Sequence, residues 1–186
     1  TSAAQLNLVN LTVNASGLAE GGGRWLIDPV DIDIVSSSSG FNQIETGLIE
    51  STLDSGTDVA ITTSTGTGGN GDIFLLDSVD QNGGGSASLT LTGRRFDTNG
   101  ATIDLSSTGQ LTFDINQVNA EATPDSSSIE EAIDAIGDVS GSRRLRLGAG
   151  DYGFTSIINI DTNVEIEGAG ASNTALTTLV GGTRVF

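Results

Sequence analysis

Residues 40–96 read GFNQIETGLIESTLDSGTDVAITTSTGTGGNGDIFLLDSVDQNGGGSASLTLTGRRF and decide the fold class. Three short alternations of apolar and polar residues lie between loops rich in Gly, Asn, Ser and Thr; their apolar members are Val59 and Ile61, Ile73 and Leu75, and Leu89 and Leu91. A period of two places alternate side chains on opposite faces of a strand. The alternations recur about every 15 positions, which leaves no room for crossover helices. This stretch therefore predicts short β-strands stacked in a solenoid around one narrow core.

Three tracts in the first part of the chain resemble a known family. They are W-L-I-D-P at residues 25–29, L-D-S-G-T-D-V-A-I-T-T at residues 53–63 and G-N-G-D-I at residues 69–73. Their order is similar to that in the repeat region of the filamentous-haemagglutinin family of secreted bacterial exoproteins. The resemblance covers about the first 115 residues and implies a right-handed parallel β-helix within a large secreted or surface protein.

The composition fits a thin core and narrows the chemistry. Among 186 residues, 36% are hydrophobic, 4% are aromatic and 26 are Gly. Cys, His, Met and Lys do not occur, so all seven basic residues are Arg. The chain therefore cannot form disulfides, Ser–His or Cys–His catalytic arrangements, or Schiff bases. Carboxylates, Arg and oxygen-bound metal ions remain as reactive groups.

The charge balance bears on partners. A net charge of −17 disfavours nucleic-acid binding, which needs clustered Lys and Arg, but suits attraction of divalent cations. No apolar run approaches the ~20 residues of a membrane-spanning helix. The chain begins at Thr1 rather than Met and shows no signal segment, so we expect a processed or excised piece located extracellularly or on the cell surface.

The last third opens with a strong helix signal. Ile129, Ile133 and Ile136 share one helical face, and Gly137 is placed to end the helix. Ser127 or Ser128, with Glu130 or Glu131, matches a capping box. The following tracts, R-L-R-L-G-A-G-D-Y at residues 144–152 and V-E-I-E-G-A-G at residues 164–170, resemble the opening of a pectate-lyase-type β-helix.

These features together predict an all-β protein. We expect a single right-handed parallel β-helical domain over residues 1–186, with one short inserted helix near residues 128–136. A sub-boundary is expected near residues 120–128, between haemagglutinin-like turns of the chain and pectate-lyase-like ones. Residues 47–54 also have helical character and Gly56 is suited to end such a segment. Asn70-Gly71 and Asn99-Gly100 are suited to tight turns.

The first candidate site is a glycan-binding face. Glu165 and Glu167 flank Ile166, so they project from the same side of a strand, and Arg144 and Arg146 share a face in the same way. With Tyr152, these residues are candidates for binding an acidic sugar. The alternative is a solvated strand face on which the Arg side chains pair with the helix over residues 129–136 or with carboxylates of a neighbouring turn of the chain.

The second candidate site is a cation site. Asp31 and Asp33 form a D-x-D pair with Asp28 close by, and such oxygens can hold Ca²⁺. A polar outward face is the simpler reading, because neither an EF-hand loop nor a repeated nonapeptide Ca²⁺ motif occurs. Ca²⁺ is the only cofactor that the sequence suggests.

Three functions stay open. The leading one is a structural or adhesive role as a surface β-helix, spacer or filament subunit that associates head to tail, with no catalytic residues. The second is a polysaccharide lyase or hydrolase that uses Glu165, Glu167 and Asp151 beside Arg144 or Arg146. The third is a non-catalytic glycan-binding module on that same face, with a glycan or cell-surface receptor as partner.

Overall fold

The computed structural model describes residues 6–8, 11–15, 23–64, 66, 68–116, 127–154, 160 and 163–178. This part of the chain is all-β in character, with fifteen strands and two helices. The strands are β1 Arg24–Ile27, β2 Ile32–Val35, β3 Gln43–Glu45, β4 Asp58–Thr62, β5 Asp72–Leu75, β6 Val79–Gln81, β7 Leu89–Gly93, β8 Arg95–Asp97, β9 Ile103–Leu105, β10 Leu111–Ile115, β11 Ile136–Val139, β12 Arg143–Leu147, β13 Gly150–Phe154, β14 Glu165–Gly168 and β15 Thr174–Thr178. The helices are α1 Thr46–Asp54 and α2 Ser127–Asp134.

The largest sheet has six strands in the order β1-β4-β7-β10-β12-β14, and every pair is parallel. Its register places residues of similar character next to each other on neighbouring strands. One inward-facing column consists of Ile27, Ile61, Leu91, Phe113, Leu145 and Ile166. Because the side-chain period of a strand is two, this register also stacks the outward polar residues in columns.

The remaining strands form three smaller parallel sheets, ordered β3-β2-β5-β8, β6-β9-β11 and β13-β15. The chain visits the sheets in a repeating order. β4, β5 and β6 belong to three different sheets, and β7, β8 and β9 return to those sheets in the same sequence. The six-stranded sheet also continues from β10 to β12, although the junction at residues 117–126 lies outside the described residues.

One apolar cluster runs between the sheets. It consists mainly of buried Ile, Leu and Val, as the alternation in the sequence predicts. Phe96 and Phe113 meet edge to face, with ring centroids 5.2 Å apart and an interplanar angle of 83°. Trp25 lies partly buried against this cluster rather than standing free on the surface. The core thus depends on branched aliphatic side chains that suit a pleated, buried surface.

Helix α1 confirms the helical segment predicted between residues 47 and 54. Ile49 and Leu53 are buried, and Leu48 packs partly against the core. Gly56 adopts a φ of 82°, and its N–H donates to the Leu53 carbonyl at 2.9 Å. A glycine in the left-handed region after the last turn is a common helix ending.

Helix α2 confirms the predicted inserted helix and corrects the residue at which it ends. The predicted helix extended to residue 136, but α2 ends at Asp134 and Ile136 begins strand β11. Glu131, a candidate for the capping box, instead accepts hydrogen bonds from the N–H (2.9 Å) and hydroxyl of Thr98. Ser128 Oγ accepts the Phe96 N–H at 3.3 Å. Glu131 and Ser128 thus contact residues on and directly after β8, far away in sequence.

Carboxylates join loops that are distant in sequence. Asp54 Oδ1 accepts the Gly83 N–H at 2.9 Å, and Asp104 Oδ1 accepts the Asp138 N–H at 2.5 Å. A Cβ on Gly83 or on Gly137 would lie well inside 3.0 Å of these carboxylates. Part of the glycine content therefore allows close approach of an acidic side chain to backbone.

Candidate functional site

Arg and Glu form a ladder on the outer face of β12 and β14. The register pairs Arg144 with Glu165 and Arg146 with Glu167. Arg144 Nη2 lies 3.0 Å from Glu165 Oε2, while Glu167 Oε2 lies 3.6 Å from Arg144 Nε and 3.5 Å from Arg146 Nε. The four side chains are between 32% and 58% exposed. The structure therefore brings together four of the five predicted glycan-binding residues, and it confirms that the Arg side chains pair with carboxylates of a neighbouring strand.

Asp114 extends this ladder onto β10, where it lies opposite Arg146. Burial raises the pKa of Asp114, and the Arg146 guanidinium acts in the opposite direction. The five side chains, called the β10–β14 ladder below, comprise three carboxylates and two guanidinium groups: Asp114, Arg144, Arg146, Glu165 and Glu167. Carboxyl groups whose pKa is shifted by burial and by a neighbouring charge are often found at functional sites.

A depression of about 460 Å³ opens at the carboxyl ends of these strands. Its polar walls are Asp114, Asn116, Arg146 and Glu167, and the backbone around Gly148 and Gly168 forms part of its floor. Carboxylates accept hydrogen bonds and guanidinium groups donate them, so the depression offers both functions to one ligand. Hydroxyl groups, which donate and accept, match this arrangement.

Tyr152 does not line that surface. Its side chain is fully buried, and its hydroxyl lies 3.2 Å from the Gly148 carbonyl and 3.4 Å from the Ile115 carbonyl. Burial and, secondly, the negative charge of Asp114 raise its pKa to about 12. The prediction that Tyr152 contacts a glycan is wrong, because its place on β13 turns the ring into the core. Its hydroxyl contacts the carbonyl of Gly148, a residue that lines the depression.

The groups proposed for the enzyme alternative are only partly placed. Asp151 lies on β13 with an exposed side chain, whereas the ladder belongs to the six-stranded sheet. Asp114, which the sequence reasoning missed, is the carboxylate that joins Glu167 around Arg146. The alternation at residues 111–115 marked it as outward-facing, but only the register places it beside the Arg.

Asp31 has a structural role that the sequence reasoning did not anticipate. Its Oδ1 accepts three backbone N–H groups, from Asn70 at 2.9 Å, Gly71 at 2.7 Å and Asp72 at 2.8 Å. Asp33 lies beside it on β2 and accepts a 3.4 Å hydrogen bond from Gln43 Nε2. Within the described part of the chain, no three acidic or other metal-ligating side chains are grouped to hold an ion. The Asp28, Asp31 and Asp33 cation site stays a prediction.

A buried ion pair stands next to this loop. Arg94 Nε and Nη2 donate to the two carboxylate oxygens of Asp72 at 2.8 and 2.7 Å, and the side chains are 11% and 12% exposed. This fork geometry is the strongest arrangement for an Arg–carboxylate pair. The pair and the Asp31 contacts together fix the loop before β5.

Comparison with known proteins gives no relative. The chain matches no family model, no curated protein and no solved structure. Neither described helix has the length and apolar character needed to cross a membrane.

Proposed function

We propose that the chain winds as a right-handed parallel β-helix and serves as a structural or adhesive protein outside the cell or on its surface. The return of the chain to the same sheets in the same order, with parallel pairing throughout, supports the coiled architecture. Parallel crossover connections are right-handed in nearly all proteins, which supports the hand. The acidic, Cys-free composition is compatible with that location.

The observation that carries the structural role is the edge that β14 forms in the six-stranded sheet of the described residues. Within the described residues, β14 pairs on one side, with β12. Beside it lies a mainly apolar depression of about 380 Å³ whose walls include Leu147, Ile166 and Leu176. An open strand edge next to an apolar core end is a template for a further strand.

We assign this end to a second copy of the chain, docked through its β1 end. In the described part, β1 pairs only with β4, and Leu26 on it is 56% exposed. A contact between two different surfaces does not close on itself, so repeated contacts produce a filament. Each copy would then extend the six-stranded sheet by its own strands.

Sedimentation velocity over a concentration series tests this assembly. Ile166→Arg places a charge at the docking end, and Asn82→Arg makes the same change of charge on an exposed loop as the control. We expect the wild-type and Asn82→Arg chains to form larger species as concentration rises and Ile166→Arg to stay monomeric. If all three remain monomeric, or if all three assemble alike, head-to-tail docking at this end is wrong.

A second candidate function is glycan binding at the β10–β14 ladder, and Asp114 with its raised pKa beside the depression favours it. Three carboxylates around two guanidinium groups leave the site negative, in a chain of net charge −17. Neutral, hydroxyl-rich sugars therefore fit better than the acidic sugars that the Arg residues alone suggest.

NMR titration with neutral and uronate oligosaccharides distinguishes these ligands. Arg146→Ala and Glu167→Gln are expected to weaken binding of a neutral oligosaccharide, whereas Asp80→Asn, an exposed carboxylate on β6, leaves it unchanged. Preferential binding of uronates would reverse the sugar class. No perturbation of ladder resonances by any sugar would remove glycan binding while leaving the structural role untouched.

A further inference from the structure

Three Asn-Gly pairs differ in how the structure holds the reacting atoms. They are Asn70-Gly71, Asn82-Gly83 and Asn99-Gly100, and all three Asn side chains are exposed. Asn followed by Gly is prone to deamidation, since a glycine lacks the side chain that hinders attack by its backbone nitrogen. Exposure alone therefore predicts similar reactivity at the three positions.

Two of the three attacking nitrogens are held by carboxylates. The Gly71 N–H donates to Asp31 Oδ1 at 2.7 Å, and the Gly83 N–H donates to Asp54 Oδ1 at 2.9 Å. A negative acceptor opposes loss of the proton that attack requires, and it fixes the direction of the N–H bond. The Asn82 side-chain amide also donates to Asp80 Oδ1 at 2.9 Å, which restrains the second reacting group.

The third pair lacks such a restraint. Asn99 and Gly100 form a tight turn with φ values of 46° and 77°, closed by a 2.7 Å hydrogen bond from the Ala101 N–H to the Thr98 carbonyl. The Asn99 N–H donates to Asp97 Oδ1 at 3.3 Å, but this group takes no part in the attack. Across the described residues, the Gly100 N–H has no protein acceptor, and Gly100 is exposed.

We propose that Asn99 is the site of spontaneous deamidation in the folded protein, with water as the co-reactant. The Gly100 backbone nitrogen loses its proton and forms a bond to Asn99 Cγ, while the Cγ–Nδ2 bond breaks and ammonia leaves. Water then opens the resulting five-membered imide at either carbonyl, giving Asp or iso-Asp. No oxidation or reduction occurs.

The product changes the turn between β8 and β9. It adds a negative charge two residues from Asp97 and, in the iso-Asp form, one extra backbone atom. Thr98, next to the site, stays bound to Glu131 of α2. The change is therefore confined to the outer turn, and we expect the strands on either side to keep their pairing.

Incubation of the whole folded chain in mildly alkaline buffer, followed by tryptic digestion and mass spectrometry, tests the assignment. Cleavage at Arg places Asn99 in the peptide of residues 96–143 and the other two pairs in the peptide of residues 25–94. We expect deamidation at Asn99 to be about tenfold faster or more, the factor for breaking one hydrogen bond to a charged acceptor. Asn99→Gln should abolish the modification that fragmentation of the 96–143 peptide assigns to position 99, as distinct from Asn116 and Asn119 in the same peptide.

The unfolded chain supplies the internal control. In denaturant the three pairs should react at similar rates, because the carboxylate contacts are gone. Asp54→Ala should raise the rate at Asn82 in the folded protein without affecting Asn99, and Asp31→Ala should do the same at Asn70. Equal rates in the folded chain, or faster reaction at Asn70 or Asn82, would overturn the proposal.

Discussion

Carboxylates and Arg side chains form buried contacts in one part of this molecule and exposed contacts in another. Before β5, Asp31 holds three backbone N–H groups and Asp72 receives a bidentate Arg94 whose side chain is 11% exposed. On β12 and β14, Arg144 and Glu165 meet at a similar distance with side chains 32% and 58% exposed. Water competes for the second pair and is largely excluded from the first.

The two regions differ in their expected roles: the buried contacts stabilise the fold, and the exposed side chains are available to bind a ligand. Breaking the buried contacts leaves backbone donors or a carboxylate without compensation, so they are expected to hold the fold. The exposed β10–β14 ladder contributes little to folding stability. Its Arg and Glu side chains can therefore give up their contacts with one another and bind a ligand instead. In this strongly acidic chain, some carboxylates therefore stabilise the fold and others stay exposed at the surface.

The largest effect is expected at Asp31. Asp31→Ala removes three charge-assisted hydrogen bonds at once and should lower the free energy of unfolding by about 4 kcal/mol. Asp33→Ala, two residues further along the chain on β2, loses one long hydrogen bond and should cost less than about 1 kcal/mol. Urea unfolding followed by Trp25 fluorescence measures both. If both variants lowered the free energy of unfolding by the same amount, the three backbone contacts of Asp31 would have no special role in stability.

The alkaline limb of stability is expected to come from Tyr152, the only Tyr in the chain. Its pKa is raised from 10.0 to about 12 in the folded state. The neutral phenol stabilises the folded state by about 2 to 3 kcal/mol. This contribution is fully present below the pKa of Tyr152 in the unfolded chain and is lost as pH rises through its pKa in the folded chain.

Absorbance titration of the single phenol reads this pKa directly, and urea unfolding between pH 10 and about 12 reads the linked loss of stability. In Tyr152→Phe this part of the pH dependence should disappear. A phenol that titrates at its ordinary pKa in the folded chain would place Tyr152 at the surface after all.

A pair of glycine substitutions tests the close approach at Asp31. A Cβ on Gly69 would collide with the Asp31 carboxylate, so Gly69→Ala should destabilise by about 2 kcal/mol. Gly47 lies in α1 with open space around its Cβ position, so Gly47→Ala should stabilise by about 0.5 kcal/mol. Thermal unfolding of both variants gives the signs, and destabilisation of both would show that loss of glycine, rather than the carboxylate contact, matters.

The smallest effect is expected in the ladder. Arg144→Ala and Glu165→Ala should each change the free energy of unfolding by less than about 1 kcal/mol, with a coupling in a double-mutant cycle of about 0.5 kcal/mol. Added salt should reduce that coupling, since the side chains are exposed. A coupling as large as that of a buried pair would make the ladder structural and weaken the glycan proposal.

The strands were predictable where alternation is long enough to see. Val59 with Ile61 and Leu89 with Leu91 lie in five-residue strands, and both alternations were predicted from sequence. β3, β6 and β8 span three residues each, too short for a period of two to stand out from loop composition.

The site was predictable only as a pattern on single strands. Alternation placed Glu165 and Glu167 on one face, but Asp114 joins them through register, which local sequence does not encode. The partners of Asp31 lie 39 to 41 residues away, so no local motif could show that its carboxylate is already in use. Likewise, the turn from β12 into β13 that buries Tyr152 is a tertiary feature.

Negative-stain electron microscopy of the purified chain over a concentration series, with and without Ca²⁺, tests the structural role most directly. The proposal predicts rods of constant width that lengthen with concentration to many times the length of one chain, and that stay short in Ile166→Arg. Ca²⁺-dependent lengthening would also support the predicted cation site. Short particles of one size at every concentration would contradict a filament-forming β-helix.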